Sequence, residues 1–220
     1  MSLRCVDPLS LIDLRVFLER AERCGATSAR FRAVGTVLAC TVPVLLPSSL
    51  LDSSPTVLGM RTSAIEPEPE SDSETDRVVA IRGILERIAR LGPGEHTIEW
   101  PPAQLSEAWA GVSAPRGGWS RIGELTGARL RDAARDGVAA VAAALPEQPG
   151  EAVLQQVRSR IWSAPLEQSQ LPLGAAFAAD ALGFIEDDAA MTVLRSGSWL
   201  RLSSARGHVL VRGVLGATTE

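Results

Sequence analysis

The chain has 220 residues, 45% apolar and 22% charged, and 26 carboxylates against 22 basic residues leave a net charge of -4. That length fits one large domain or two small ones with a real core, and so mild a charge argues neither for nor against nucleic acid. Every basic residue apart from the two histidines is arginine, which excludes Schiff-base chemistry, a P-loop lysine, a Ser-x-x-Lys nucleophile and a kinase-type ATP lysine.

The first helix is expected over residues 8–24. Leu11, Leu14, Phe17, Leu18 and Ala21 recur at helical spacing, Asp7-Pro8 is a start signal and Gly25 a stop. Three strand-like runs follow at 29–33, 36–46 and 56–65, consistent with an antiparallel meander. Residues 66–75, Glu-Pro-Glu-Pro-Glu-Ser-Asp-Ser-Glu-Thr, hold nothing that could join a core and are expected to form a disordered acidic loop. Val78, Ile81, Leu85, Ile88 and Leu91 predict a helix over 76–91, ended by Gly92-Pro93-Gly94, with a closing strand at 96–100. The order expected for a first domain, 1–100, is thus α-β-β-β-α-β.

Residues 101–120 carry Trp109, Trp119, three glycines and several prolines without helical or strand period, and form the expected connector. A second domain, 121–220, holds predicted helices at 126–145, 151–162 and 173–185. Short strands at 191–195, 198–203 and 208–212 follow, with turns at Ser196-Gly197 and Ala205-Arg206-Gly207. The fold class expected is α+β, ending in a three-stranded antiparallel meander.

Candidate chemistry is sparse. Cys5, Cys24 and Cys40 lack CxxC spacing, and His96 and His208 lack a second ligand nearby, so neither a metal nor a disulfide framework is expected. No cofactor is implied. Ser203, His208 and Asp180 make a triad on paper only, without a nucleophile elbow. Asp187-Asp188 reads as an exposed loop. Arg116 in Pro115-Arg116-Gly117-Gly118-Trp119 is the most suggestive residue. Glycines permit close backbone approach, arginine clamps an anion, and Trp119 could flank it, although a packed connector is the preferred reading. Helix-helix-helix-meander is also the order of a winged helix, and Arg195, Arg201, Arg206 and Arg212 would suit a basic wing. The third helix, however, has no side chain that reads bases, so nucleic acid is not favoured.

Ala108-Trp109-Ala110-Gly111-Val112, Pro115-Arg116-Gly117-Gly118-Trp119, Gly174-Ala175-Ala176-Phe177-Ala178, Arg195-Ser196-Gly197-Ser198-Trp199 and Arg206-Gly207-His208-Val209-Leu210-Val211-Arg212 together resemble a family of conserved actinobacterial hypothetical proteins of unknown function. The resemblance covers about residues 105–213. It implies a soluble bacterial protein and carries no activity or site.

The function expected is a non-catalytic binding or protein–protein interaction module, a homo-oligomer or the partner of another protein. The first alternative is an enzyme acting on a small anionic substrate near Arg116, with Asp180 as general base. The second is a nucleic-acid binder using the arginine-bearing meander. With no secretory leader pattern and no apolar run of membrane-span length, the expected location is cytoplasmic, with no membrane contact.

Overall fold

In the computed structural model, Asp7 caps the first helix, α1 (Pro8–Arg23). Its carboxylate accepts a hydrogen bond from the Ser10 backbone N–H at 2.8 Å, and Pro8 occupies the first turn, where no intrahelical donor is needed. The structure describes residues 2–49, 52, 54–66, 75–148, 150–186 and 189–213. The chain divides into two units, Met1–Pro43 with Met60–Ser113, and Val44–Gly59 with Ala114–Glu220.

The first unit runs β1 (Ser2–Arg4), α1, β2 (Ser28–Val34), β3 (Val37–Leu45) as far as Pro43, β4 (Thr56–Ala64) from Met60, β5 (Asp76–Ala80), α2 (Ile81–Ala89) and β6 (Thr97–Glu99). Its larger sheet has the order β5-β2-β3-β4, and β1 pairs antiparallel with β6. Leu14, Phe17 and Leu18 of α1, Phe31 and Leu38 of the sheet, and Ile81 and Ile84 of α2 are fully buried. Arg30 on β2 grips both carboxylate oxygens of Asp76 and donates to the Ala110 carbonyl at 2.6 Å and the Ser113 hydroxyl at 2.7 Å, which ties residues 110–113 to the sheet.

The expected helix over 76–91 is corrected here. Residues 76–80 are strand β5, paired with β2 from Ser28↔Ala80 to Arg32↔Asp76, and the helix begins only at Ile81. Val78 fits a helical stripe and a strand equally well, so the ladder with β2 decides. With β1 also unforeseen, the order is β-α-β-β-β-β-α-β. Of the acidic segment, residues 67–74 lie outside the described residues. At its ends, Glu66 N–H donates to the Arg4 carbonyl and the Thr75 carbonyl accepts from Ala33.

The second unit runs β7 (Ser120–Thr126), α3 (Gly127–Ala144), α4 (Glu151–Ser163), α5 (Leu173–Ala181), β8 (Ala190–Ser196), β9 (Trp199–Ser204) and β10 (Gly207–Arg212), with sheet order β10-β9-β8-β7, all antiparallel. The meander at the chain's end is therefore present, and an unforeseen strand, β7, extends it. Met191, Val193, Leu200, Leu202, Val209 and Val211 are buried on one face. Next to α5, Phe184 touches that face: its carbonyl accepts from Ser204 Oγ at 2.7 Å, and its ring fills the space a Cβ on Gly207 would need. Trp162 of α4 stacks on Phe177 of α5 at 4.6 Å and presses its ring edge onto Gly137 of α3. Helix α5 stops a turn earlier than expected, at Leu182, with Gly183 at φ +73°. Asp187-Asp188 lies outside the described residues. Among the described residues, no helix is long and apolar enough to cross a membrane.

Candidate functional site

Opposed residues in an antiparallel ladder point to the same face, and neighbours along a strand to opposite faces. The pairs Leu194↔Arg201, Thr192↔Ser203, Ser203↔His208, Arg201↔Leu210 and Trp199↔Arg212 therefore place Trp199, Arg201, Ser203, His208, Leu210 and Arg212 together. This is the face turned away from α5, because Ser204, the neighbour of Ser203, bonds Phe184.

The Pro115–Trp119 segment folds onto this surface. Trp119 Nε1–H donates to the Pro115 carbonyl at 3.0 Å, and Ser196 Oγ donates to the Gly117 carbonyl at 3.3 Å. Gly118 turns the chain at φ +72°, a conformation that favours glycine. The Trp119 ring meets the guanidinium of Arg201, whose carbon lies 4.5 Å from the ring centroid. Arg116 is exposed. The two glycines thus shape a tight turn, and the arginine that Trp119 engages is Arg201.

Arg201 is half-buried. Its Nε–H is buried without an acceptor among the described residues, and burial lowers its pKa. His208 Nδ1 lies 2.9 Å from Ser203 Oγ. Burial first, and then the charge of Arg201, push the His208 pKa down to about 4, so the imidazole is neutral at pH 7. Asp180 is exposed on α5, across the sheet from His208. Ser203 and His208 of the paper triad do meet, and Asp180 is not with them.

The four meander arginines are divided. Arg201 and Arg212 share the face just described, each against a tryptophan, with Arg212 6.0 Å from the Trp199 centroid. Arg195 pairs with Leu200 on the other face and bonds Gln170, and Arg206 sits in the β9–β10 turn. In α5, the third helix, Gly174, Ala175, Ala176, Ala178 and Ala179 are buried.

A second feature lies at the sheet's β7 edge. Every residue of β7 except Leu125 is exposed, and the ladder to β8 carries a bulge between Arg121 and Gly123. A cleft of about 320 Å³ opens between Ile122, Gly123, Leu125 and Val193 on the sheet and Gln168 and Gln170 of the loop before α5. That loop is closed by the Leu166 N–H to Leu171 carbonyl bond at 2.8 Å, with Gln168 left-handed at φ 50°. Nothing in the sequence flagged this cleft, since an edge strand with one buried residue shows no alternation and Gln-Ser-Gln carries no motif.

Among the described residues, no three His, Cys, Asp or Glu side chains gather as metal ligands would. Cys5 and Cys40 are buried free thiols. Burial, and then the charge of Asp7, raise Cys5 to about 11, and burial raises Cys40 further. Both therefore stay protonated and unreactive at neutral pH.

Residues 114–216 match the family model described as domain of unknown function DUF8185, and residues 1–111 match that of DUF8010. No curated protein matches the chain. Among solved structures, the chain is similar over its whole length to the DNA polymerase sliding clamp from Caulobacter crescentus, with 11% identity, a TM-score of 0.52 and 67% of that chain covered. It is similar also to the DNA polymerase III subunit beta from Pseudomonas aeruginosa, at 12%, 0.53 and 66%. The DNA polymerase sliding clamp from Bacillus subtilis matches at 10%, 0.51 and 65%. The chain spans about two thirds of the length of these clamps, and at such identities the likeness is one of fold. By its match over residues 1–111, the chain belongs to the family of domain of unknown function DUF8010.

Proposed function

We propose that this protein is a non-catalytic protein-interaction module that self-associates by adding a strand of a second copy to the free edge of β7. The observation that carries this is the edge itself. Six of the seven residues of β7 are exposed, Ile122 is 41% exposed, and a cleft lies alongside. Unpaired N–H and C=O groups on such an edge are a template for another extended chain. The likeness in fold to DNA polymerase sliding clamps, among them the DNA polymerase III subunit beta of Pseudomonas aeruginosa, supports a scaffold in preference to a catalyst. Actinobacterial origin and a cytoplasmic location fit this reading.

The enzyme alternative, with a small anion at Arg116 and Asp180 as base, lacks a supporting arrangement: Arg116 is exposed and Asp180 lies on α5. For nucleic acid, the meander arginines lie on two faces and a turn, so no continuous basic stripe supports that reading. Light scattering on the eluting protein, alone and with duplex DNA, tests the proposal. The expected result is a mass above that of one chain, with no co-elution of DNA at physiological salt. A monomer that co-elutes with duplex in a salt-sensitive way would overturn it.

A further inference from the structure

The sheet face that carries Trp119 holds an electrostatic imbalance that the interaction reading does not use. Arg201 stands between two leucines, Leu194 on β8 and Leu210 on β10. Its Nε–H has no acceptor among the described residues. The Trp119 ring occupies the flat face of the guanidinium, whereas the N–H bonds lie in its plane, so the cation–π contact does not satisfy the Nε–H.

An ionisable neighbour on the same face makes the imbalance larger. It is His208 on β10, whose protonation would add a second positive charge next to the first. Arg212 lies on the same face of β10. On β7, the Glu124 carboxylate is held by Arg121. No carboxylate neutralises Arg201 among the described residues. A buried donor left unsatisfied destabilises the fold, a cost that a bound acceptor would remove.

We propose that Arg201, His208 and Ser203 form a binding site for the tetrahedral oxyanion of a small phosphate compound. The guanidinium supplies in-plane donors, and Arg201, Ser203 and His208 are all partly exposed, so a small ion meets their outer edges although the Nε atom itself is covered. The hydroxyl and the imidazole act as one unit. In the free protein the neutral imidazole shares a hydrogen bond with Ser203 Oγ at 2.9 Å. When an anion arrives, its charge favours imidazolium, and the Nδ1–H then donates to Ser203 Oγ. The serine hydrogen is released to donate to the anion. Binding therefore takes up a proton, and affinity rises as pH falls.

The test is proton NMR of the two histidine rings, His96 serving as the internal reference. Spectra are recorded from about pH 5 to about pH 8 with millimolar inorganic phosphate, with a small phosphate monoester, and with sodium chloride at matched ionic strength. Without phosphate, the His208 resonance is expected to stay at its neutral position down to the lower limit. With phosphate or the ester, its midpoint is expected to rise by at least about one unit, a tenfold gain in proton affinity, while His96 does not follow. The compound that acts at the lower concentration distinguishes a free ion from an ester as the ligand. Arg201→Gln should abolish the shift. The proposal is overturned if His208 is unmoved in the wild-type protein, if sodium chloride has the same effect, or if both histidines shift alike. The wild-type comparison decides the matter even if Arg201→Gln does not fold, and it is independent of any self-association at β7.

Discussion

Trp119 and Arg201 hold the Pro115–Trp119 turn against the sheet, with the guanidinium carbon 4.5 Å from the ring centroid. A cation–π contact at a partly exposed site contributes about 0.5–2 kcal/mol. Trp119→Ala should therefore cost about 1–3 kcal/mol in urea unfolding, and a double-mutant cycle with Arg201→Met should return a coupling of about 0.5–2 kcal/mol. Arg116→Ala, at an exposed position, should cost no more than about 1 kcal/mol. Additive effects of Trp119→Ala and Arg201→Met would show that the ring and the guanidinium do not support each other.

Gly137 sits inside α3, where alanine would normally add about 1 kcal/mol of helix stability. Here a Cβ would run into the Trp162 ring. Gly137→Ala should therefore destabilise by about 1–3 kcal/mol through overpacking. Thermal unfolding of Gly137→Ala, alone and with Trp162→Phe, checks this. Part of the loss should be recovered when the smaller ring is present, and a stabilised Gly137→Ala would refute the packing of α3 on α4.

His208 makes stability depend on pH in a defined direction. Its folded pKa, about 4, lies below the ordinary 6.5, so the unfolded chain binds the proton more tightly. The contribution is fully present above about pH 6.5 and is lost as pH falls through the window down to about 4, by at most about 3 kcal/mol. Asp52 is also lowered, by hydrogen bonds from Ser54 and Ser48, but its contribution falls away only below its ordinary value of 3.8. Urea midpoints between about pH 7 and about pH 4.5 should drop for the wild type and stay flatter for His208→Gln. Parallel profiles would contradict the burial of His208.

Helix α1 was legible because its cap, Asp7-Pro8, and its stripe from Leu11 to Ala21 are local signals. Strands β8 to β10 were legible because Ser196-Gly197 and Ala205-Arg206-Gly207 mark both turns. Strand β5 was not, since Val78 satisfies both periods and only the distant β2 selects one. Strand β7 buries Leu125 alone, so it has no hydrophobic pattern to read. The site was half visible. His208 and Ser203 are five residues apart in a recognisable hairpin, whereas the pairing of Trp119 with Arg201 depends on register and on a turn more than eighty residues away.

Self-association through β7 is most directly tested by sedimentation velocity on wild type and Ile122→Glu across a wide concentration range. Ile122 is 41% exposed on the free edge, so the charge should leave the fold and melting temperature nearly unchanged while opposing strand addition. The expected result is a concentration-dependent dimer or larger species for wild type and a monomer for Ile122→Glu at the same melting temperature. A wild type that stays monomeric up to about 100 μM, well above the micromolar range of modest interfaces, or an Ile122→Glu variant that associates as wild type does, would contradict the account.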